Sequence, residues 1–398
     1  MIARLIFAAA LGAAVSIPVA IPAVAQDFRA CLSGLKSDAA SKGVSAATFD
    51  AATRGLQPDM KVLEFLDFQP EFKTPIWDYL AALVDEQRVV DGRAMLRQYA
   101  NALAAAQQKY GVDPATVVAV WGVESDYGRA IGKRPLVQSL ATLSCYGRRQ
   151  QFFRGELIAT LTILQRGDVN PDHLVGSWAG AFGHTQFMPS TYLRIAVDHD
   201  GDGRADLVDS IPDALGSTAN YLKKAGWVPG QTWGFEVILP QGFNASLAGR
   251  TKKRDFPQWA SSGVRRADGK PMPGSGPAGL IIPAGVNGPA FLVTKNFDAI
   301  YAYNAAESYA LAIAHLSDRL RGGGPFRTPW PTDDRGLSRA ERKELQVLLN
   351  KRGYDVGEPD GAIGTKTRQA IAEYQVKIGL PRDGRASGKV LDALKAGR

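Results

Sequence analysis

The chain has 398 residues, of which 45% are hydrophobic, enough for a real core and too many for a chain that stays unfolded. That length suits two domains. The formal charge is +8, but Lys and Arg are scattered, with only short clusters such as Lys252-Lys253-Arg254. No basic stripe interleaved with aromatics appears, which argues against a nucleic-acid partner, and a basic chain suits an anionic surface such as a cell envelope.

The first 25 residues read as a cleaved export signal. Arg4 is the charged start, Leu5 to about Ile21 is apolar, and Ala23-Val24-Ala25 before Gln26 has the small-x-small cleavage form. A retained anchor is the alternative, because the apolar run is nearly long enough to span a bilayer. Pro18, Pro22 and the Ala-x-Ala end favour cleavage, which leaves no stable membrane span and an exported, periplasmic protein. Cys31 lacks the small and aliphatic residues that precede a lipidated cysteine. Cys31 and Cys145 are the only cysteines, and after export such a pair commonly bridges. Two separate buried thiols are the other reading.

From residue 28 to about Gln108 the pattern is helical with short breaks: Phe28 to Leu35, Val44 to Ala52, and Arg88 to Gln108. Between them, the aromatic and Pro-rich stretch from Phe65 to Phe72 either lines a groove or packs under a loop. Asp113 and Pro114 then start a helix, with Pro at or near its first position. The run from Pro114 to Val123 carries no charge, and Gly128 is placed to stop it. Glu124 is the first acid in this run. A carboxylate at the inner end of an apolar helix is costly to ionise, so the spacing predicts a group that keeps its proton, as a general acid must. The alternative is a helix-end Glu that reaches water or pairs with Arg129. Leu136 to Cys145 and Gln151 to Arg166 read as two further helices, and Asn170-Pro171 breaks the run.

Gly176 to Ser190 has three glycines with aromatics between them and cannot be an ordinary helix interior. Gln186 lies between two apolar clusters. Its amide either fixes a sugar hydroxyl or acetamide, or caps a tight turn. The stretch Asp198-His-Asp200-Gly-Asp202-Gly203-Arg204-Ala-Asp206-Leu-Val-Asp209 matches the calcium loop of an EF-hand at positions 1, 3, 5, 6 and 9. Arg204 would offer its backbone carbonyl. Asp209 stands where a bidentate Glu is usual, so either it closes the shell or the later Asp213 does. The spacing therefore predicts a structural Ca²⁺ and no organic cofactor.

Val237-Ile-Leu, Gly279-Leu-Ile-Ile and Ala290-Phe-Leu-Val are short apolar runs separated by Gly and Pro, a small β insertion in a mainly α body. Phe297 to Leu320 returns to helix. Residues 323–336 read as a linker by their Gly, Pro and polar content, which predicts that the C-terminal stretch folds separately. In 337–398, Ser338 with Glu341 makes a capping box, Thr365 opens a second helix and Ser387 a third. The body thus spans 26–322, with a three-helix module after it.

Taken together, Gly122-Val-Glu124-Ser-Asp-Tyr-Gly128, the run Ser177 to Ser190, the aspartate loop, Ala219-Asn-Tyr221-Leu-Lys-Lys-Ala-Gly-Trp227 and Tyr303-Asn304 resemble the lytic murein transglycosylase B family. The resemblance covers about residues 28 to 320. It implies a lysozyme-like, mostly helical catalytic domain in several lobes. The implied activity is cleavage of the β-1,4 bond between N-acetylmuramic acid and N-acetylglucosamine in peptidoglycan, leaving a 1,6-anhydromuramic end. By match, Glu124 is the catalytic acid, and Ser177, Gln186, Tyr221, Tyr303 and Asn304 line the glycan groove. The last acid of the family's calcium loop matches Asp213 better than Asp209. The C-terminal module looks like the type 1 peptidoglycan-binding domain, through Leu345-Gln346, Gly353-Tyr354, Asp360-Gly361, Tyr374-Gln375 and Asp383-Gly384. The implied partners are peptidoglycan strands and other wall-processing proteins.

Ordinary glycosidases flank the bond with two carboxylates. Asp126 is no partner to Glu124, because residues two apart on a helix point to nearly opposite sides. No other acid sits in the groove motifs, which fits a mechanism with one acid serving twice. A plain hydrolase of the lysozyme type, or a non-catalytic wall-binding scaffold, are the competing readings.

Overall fold

A computed structural model describes residues 23–66 and 74–397. Most of the expected export signal, residues 1–22, lies outside the described residues, as does much of the stretch after Phe65. Among the described residues no helix is long and apolar enough to cross a membrane.

The helical body is built around two apolar cores. In the first, the Pro114–Ser125 helix runs through the centre and the Glu307–Leu320 helix packs along it. The first carries Val, Ala and Trp and the second Ala, Leu and Ile on nearly every side, the pattern of helices with little solvent face. The second core gathers the Ala23–Ser41, Leu136–Tyr146 and Gln150–Arg166 helices. A Cys31–Cys145 disulfide ties the first two of these together across 114 residues of sequence. Tyr221 and Tyr303 pack against both cores and so mark the seam between the lobes.

The β insertion is a five-stranded antiparallel sheet in the order 249–255, 277–281, 290–293, 234–238, 265–266. Trp259, Phe235 and Phe256 give it a core of its own. The Gly249–Asp255 strand was not expected, because Arg-Thr-Lys-Lys-Arg has no apolar alternation. It is an edge strand, where charged residues are favoured because they discourage pairing with other chains. Arg250 and Lys253 on it both pair with Asp298.

Three other expectations change. The Arg88–Gln108 run is two helices, Glu86–Gln98 and Ala100–Tyr110, broken at Tyr99, whose ring meets Trp121 edge-on. The Phe297–Leu320 run also divides, into Lys295–Tyr301 and Glu307–Leu320. The third is the linker, which is a docked strap. Phe326 stacks on His315 and packs against Phe291, while the Arg327 and Thr328 N–H groups donate to the Glu236 carboxylate at 2.8 and 2.7 Å.

The C-terminal module has three helices, Arg339–Lys351, Thr365–Lys377 and Gly388–Lys395, around its own core. Its Ser338/Glu341 capping box is formed. The module does not stand apart from the body. Arg385 grips Asp78 through two hydrogen bonds of 2.6 and 2.9 Å, and Arg339 pairs with Asp126.

Candidate active site

The Asp113 carboxylate accepts from the Thr116 N–H at 2.9 Å and caps the central helix, while Pro114 fills the first position, where no N–H is needed. Residues 115–122 are buried. The helix ends where Asp126 turns into the left-handed region at φ 52°. Its last turn delivers Glu124 to the wall of a cleft of about 1170 Å³. Tyr79, Val123, Asn304 and Tyr309 line the same side of it.

Glu124 has a partner that its sequence neighbours do not supply. The Tyr309 hydroxyl donates to its Oε1. Burial, and then the charge of Glu124, push the Tyr309 phenol well above its ordinary value, so it stays a protonated donor. Burial and the Glu124 charge do the same to Tyr303. Arg129 is not the partner of Glu124. It pairs with Asp126 and Asp91.

Asp126 faces away from the cleft acid and is nearly enclosed. Arg88, Arg129 and Arg339 all reach it. Burial pushes its carboxyl up, but the Arg129 hydrogen bond and the charges of Arg88 and Arg339 together hold it below the usual value. It is a structural anion at the end of the helix.

Two contacts lock that helix to the glycine-rich loop. Trp121 Nε1 donates to His184 Nδ1 at 3.2 Å, and the Ser125 hydroxyl donates to the His184 carbonyl at 2.5 Å. Burial lowers the His184 pKa, which keeps the ring a neutral acceptor. Gly128 sits at φ 86°, and a Cβ there would lie 2.5 Å from the His184 ring, so only glycine allows this approach.

The groove residues expected from the sequence divide. Asn304 is exposed and lines the cleft with Glu124. Tyr221 and Tyr303 stand behind it, ring centroids 4.6 Å apart, with hydroxyls donating to the Ala302 and Thr185 carbonyls at 2.6 and 2.8 Å. They brace the lobe seam and do not line that cleft. Gln186 adopts φ 53°, and its amide nitrogen donates to the Ile131 and Gly183 carbonyls. Ser177 accepts from the Ala181 N–H at 3.0 Å and shapes the turn. Neither residue lines the cleft of Glu124.

In the aspartate loop, Asp198, Asp200, Asp202 and Asp213 each bring a carboxylate oxygen within 4.8 Å of the others. Four hard, anionic oxygens at this spacing fit Ca²⁺. Asp209 does not belong to the group. Its carboxylate meets His173 Nδ1 at 2.8 and 3.0 Å. The reason is the tight turn before it: Asp206 Oδ1 accepts from both the Val208 and Asp209 N–H groups. The turn swings Asp209 outward and brings Asp213, in the first turn of the Ile211–Lys224 helix, into its place. Arg204 commits its guanidinium to Asp202 at 3.1 Å.

Tyr309 was missed, although a signal exists. The Tyr303-Asn304 break is followed by Glu307-Ser-Tyr309, the first turn of a helix that packs on the Glu124 helix. The module's contribution to the cleft had no signal in the sequence.

The transglycosylase SLT domain family matches residues 27–318. The chain belongs to that family. A peptidoglycan binding domain matches residues 338–394. The membrane-bound lytic murein transglycosylase B of Escherichia coli (strain K12) is 37% identical over 249 residues, 61% of this chain and 66% of that protein. SltB3 from Pseudomonas aeruginosa, crystallised with NAG-anhNAM-pentapeptide, superposes with a TM-score of 0.75 at 47% identity, covering 93% of this chain and all of that one. The Escherichia coli lytic transglycosylase Slt35, crystallised with calcium, gives 0.64 at 31% identity over 73% of this chain and 92% of its own. These are lysozyme-like transglycosylases in the neighbourhood of a mainly helical chain.

Proposed function

We propose that the protein is a peptidoglycan lytic transglycosylase with Glu124 as its single acid and base. It cleaves the β-1,4 bond between N-acetylmuramic acid and N-acetylglucosamine and leaves 1,6-anhydromuramic ends. Family membership and relatives bound to peptide-bearing sugars support the reaction class. The observation that carries the mechanism is the fate of the acids lining the cleft. Asp78 is held by Arg385. Asp360 and Asp383 accept backbone N–H groups in turns of the module and hydrogen-bond Gln346 and Gln375. Among the described residues this leaves Glu124 as the cleft carboxylate placed for chemistry, backed by a neutral phenol.

Glu124 protonates the glycosidic oxygen as the bond to C1 breaks. The Tyr309 hydroxyl then steadies the carboxylate that results. That carboxylate removes the proton from the muramic C6 hydroxyl, which closes on C1. The hydroxyl outcompetes water because it is already tethered, an effective-molarity advantage. Asn304 supplies a neutral amide to the bound sugar. The aspartate loop would hold a structural Ca²⁺ through Asp198, Asp200, Asp202 and Asp213, and the ion would brace the loop without touching the chemistry. Export to the periplasm is inferred from the N-terminal signal and the location of the substrate.

Glu124→Gln tests the assignment. The change removes the transferable proton and keeps the shape. Turnover of sacculi should fall by about two to four powers of ten, with an unchanged melting temperature. A variant retaining a tenth of the activity would contradict it.

A further inference from the structure

Part of the lining of the Glu124 cleft belongs to the C-terminal module. Arg339, Arg342, Arg368 and Arg385 come from it. Arg339 is paired with Asp126, and Arg385 with Asp78 and Asp334. Arg342 differs. Its Nε is buried and has no hydrogen-bond partner. Burial, then the positive charge of Arg88, lower its pKa; Asp85 and Asp360 oppose this in part, and Arg339 adds to it. This is a half-buried guanidinium at the cleft with one enclosed N–H that nothing accepts.

Leaving an enclosed guanidinium N–H unmet is costly, and an anion entering the cleft would satisfy it. The planar fork of Arg suits a carboxylate through two parallel hydrogen bonds. Glycan hydroxyls and acetamides are neutral and do not call for it. The peptide stem that branches from each muramic lactyl group does, since it carries free carboxylates. A sugar held at Glu124 would carry that stem in the cleft that Arg342 also lines.

We propose that Arg342 is a carboxylate receptor for the peptide stem of the muramic residue cut at Glu124. The module therefore reads the peptide while the body holds the glycan. This rests on the transglycosylase function proposed for Glu124 and adds a substrate preference to it.

The test uses the full-length protein and two soluble glycan ladders of equal length, one with stem peptides and one stripped of them by an amidase, with the lactyl carboxylates so exposed then capped as neutral amides. The readout is the ratio of kcat/KM on the peptide-bearing ladder to that on the stripped one. Arg342→Ala should lower this ratio about tenfold, the size of one lost charge-assisted hydrogen bond. Arg342→Lys should recover part of it, and Arg342→Gln, a second neutral variant, should match Ala. A ratio unchanged in both neutral variants, whether the two rates fall together or not at all, would overturn the proposal. A wild type that cleaves neither ladder would instead overturn the enzymatic function itself, a separate and recognisable failure.

Discussion

The end of the Glu124 helix and the aspartate loop are both rich in acids, but their partners come from different distances. In the loop, the Asp198 oxygens accept from the Gly201 and Gly203 N–H groups, Asp200 from Asp202, and Asp213 from His199 and Asp206. Every partner lies within 14 residues. At the helix end, Glu124 meets Tyr309, 185 residues on, and Asp126 meets Arg339, 213 residues on. A local site can be written as a motif. The site proposed for catalysis has to be assembled by the fold, so its supports lie far from it in sequence.

This contrast makes the helix end sensitive to single remote changes. Tyr309→Phe should lower kcat about tenfold to hundredfold, the range of one hydrogen bond to a charged group, with KM little changed. Steady-state kinetics on a soluble glycan checks it. A variant with wild-type kcat would show that the hydroxyl only fills space beside Glu124.

The loop should respond only to changes within its own shell. Calcium at a hundredfold over its Kd should raise the melting temperature on the order of 5 °C, because a ligand bound only by the native state stabilises it by mass action. Asp200→Ala or Asp202→Ala should abolish the shift, and Asp209→Ala should keep it. A shift lost in Asp209→Ala would put that residue back in the shell.

The smallest effect concerns the strap. Burial pushes the His315 pKa down to about 3, so the ring against Phe326 is neutral. Between the ordinary histidine value and about pH 3, the unfolded chain takes up a proton that the folded one does not. Stability therefore falls as the pH falls through that window. Wild type should lose more melting temperature between pH 7.5 and 4.5 than His315→Gln, by a few degrees in scanning calorimetry. Equal losses would remove His315 as the cause.

Legibility in the sequence divides by distance in the same way. The Ser338/Glu341 capping box, the aspartate spacing and the uncharged helix before Glu124 are patterns within a dozen residues, and each implies its structure. The loop's own spacing left Asp209 and Asp213 open, and only the family resemblance leaned to Asp213, because the choice depends on how Asp206 tightens the intervening turn. The strand at 249–255 escaped because an edge strand needs no apolar alternation. The strap at 326–328 looked like a free linker, since its composition says nothing of the Glu236 carboxylate 91 residues earlier that receives it. Ser177 and Gln186 were expected in the groove, and here their hydrogen bonds are with backbone groups, Ser177 with Ala181 of its own loop and Gln186 with Gly183 and the distant Ile131.

The claim at the centre is that one carboxylate does the work of two and that the acceptor is the sugar's own C6 hydroxyl. Digestion of sacculi in ¹⁸O-labelled water, with mass spectrometry of the soluble products, tests it directly. The account predicts unlabelled 1,6-anhydro ends, one water lighter than lysozyme products. Label at C1 would mean that water is the acceptor, and would contradict it.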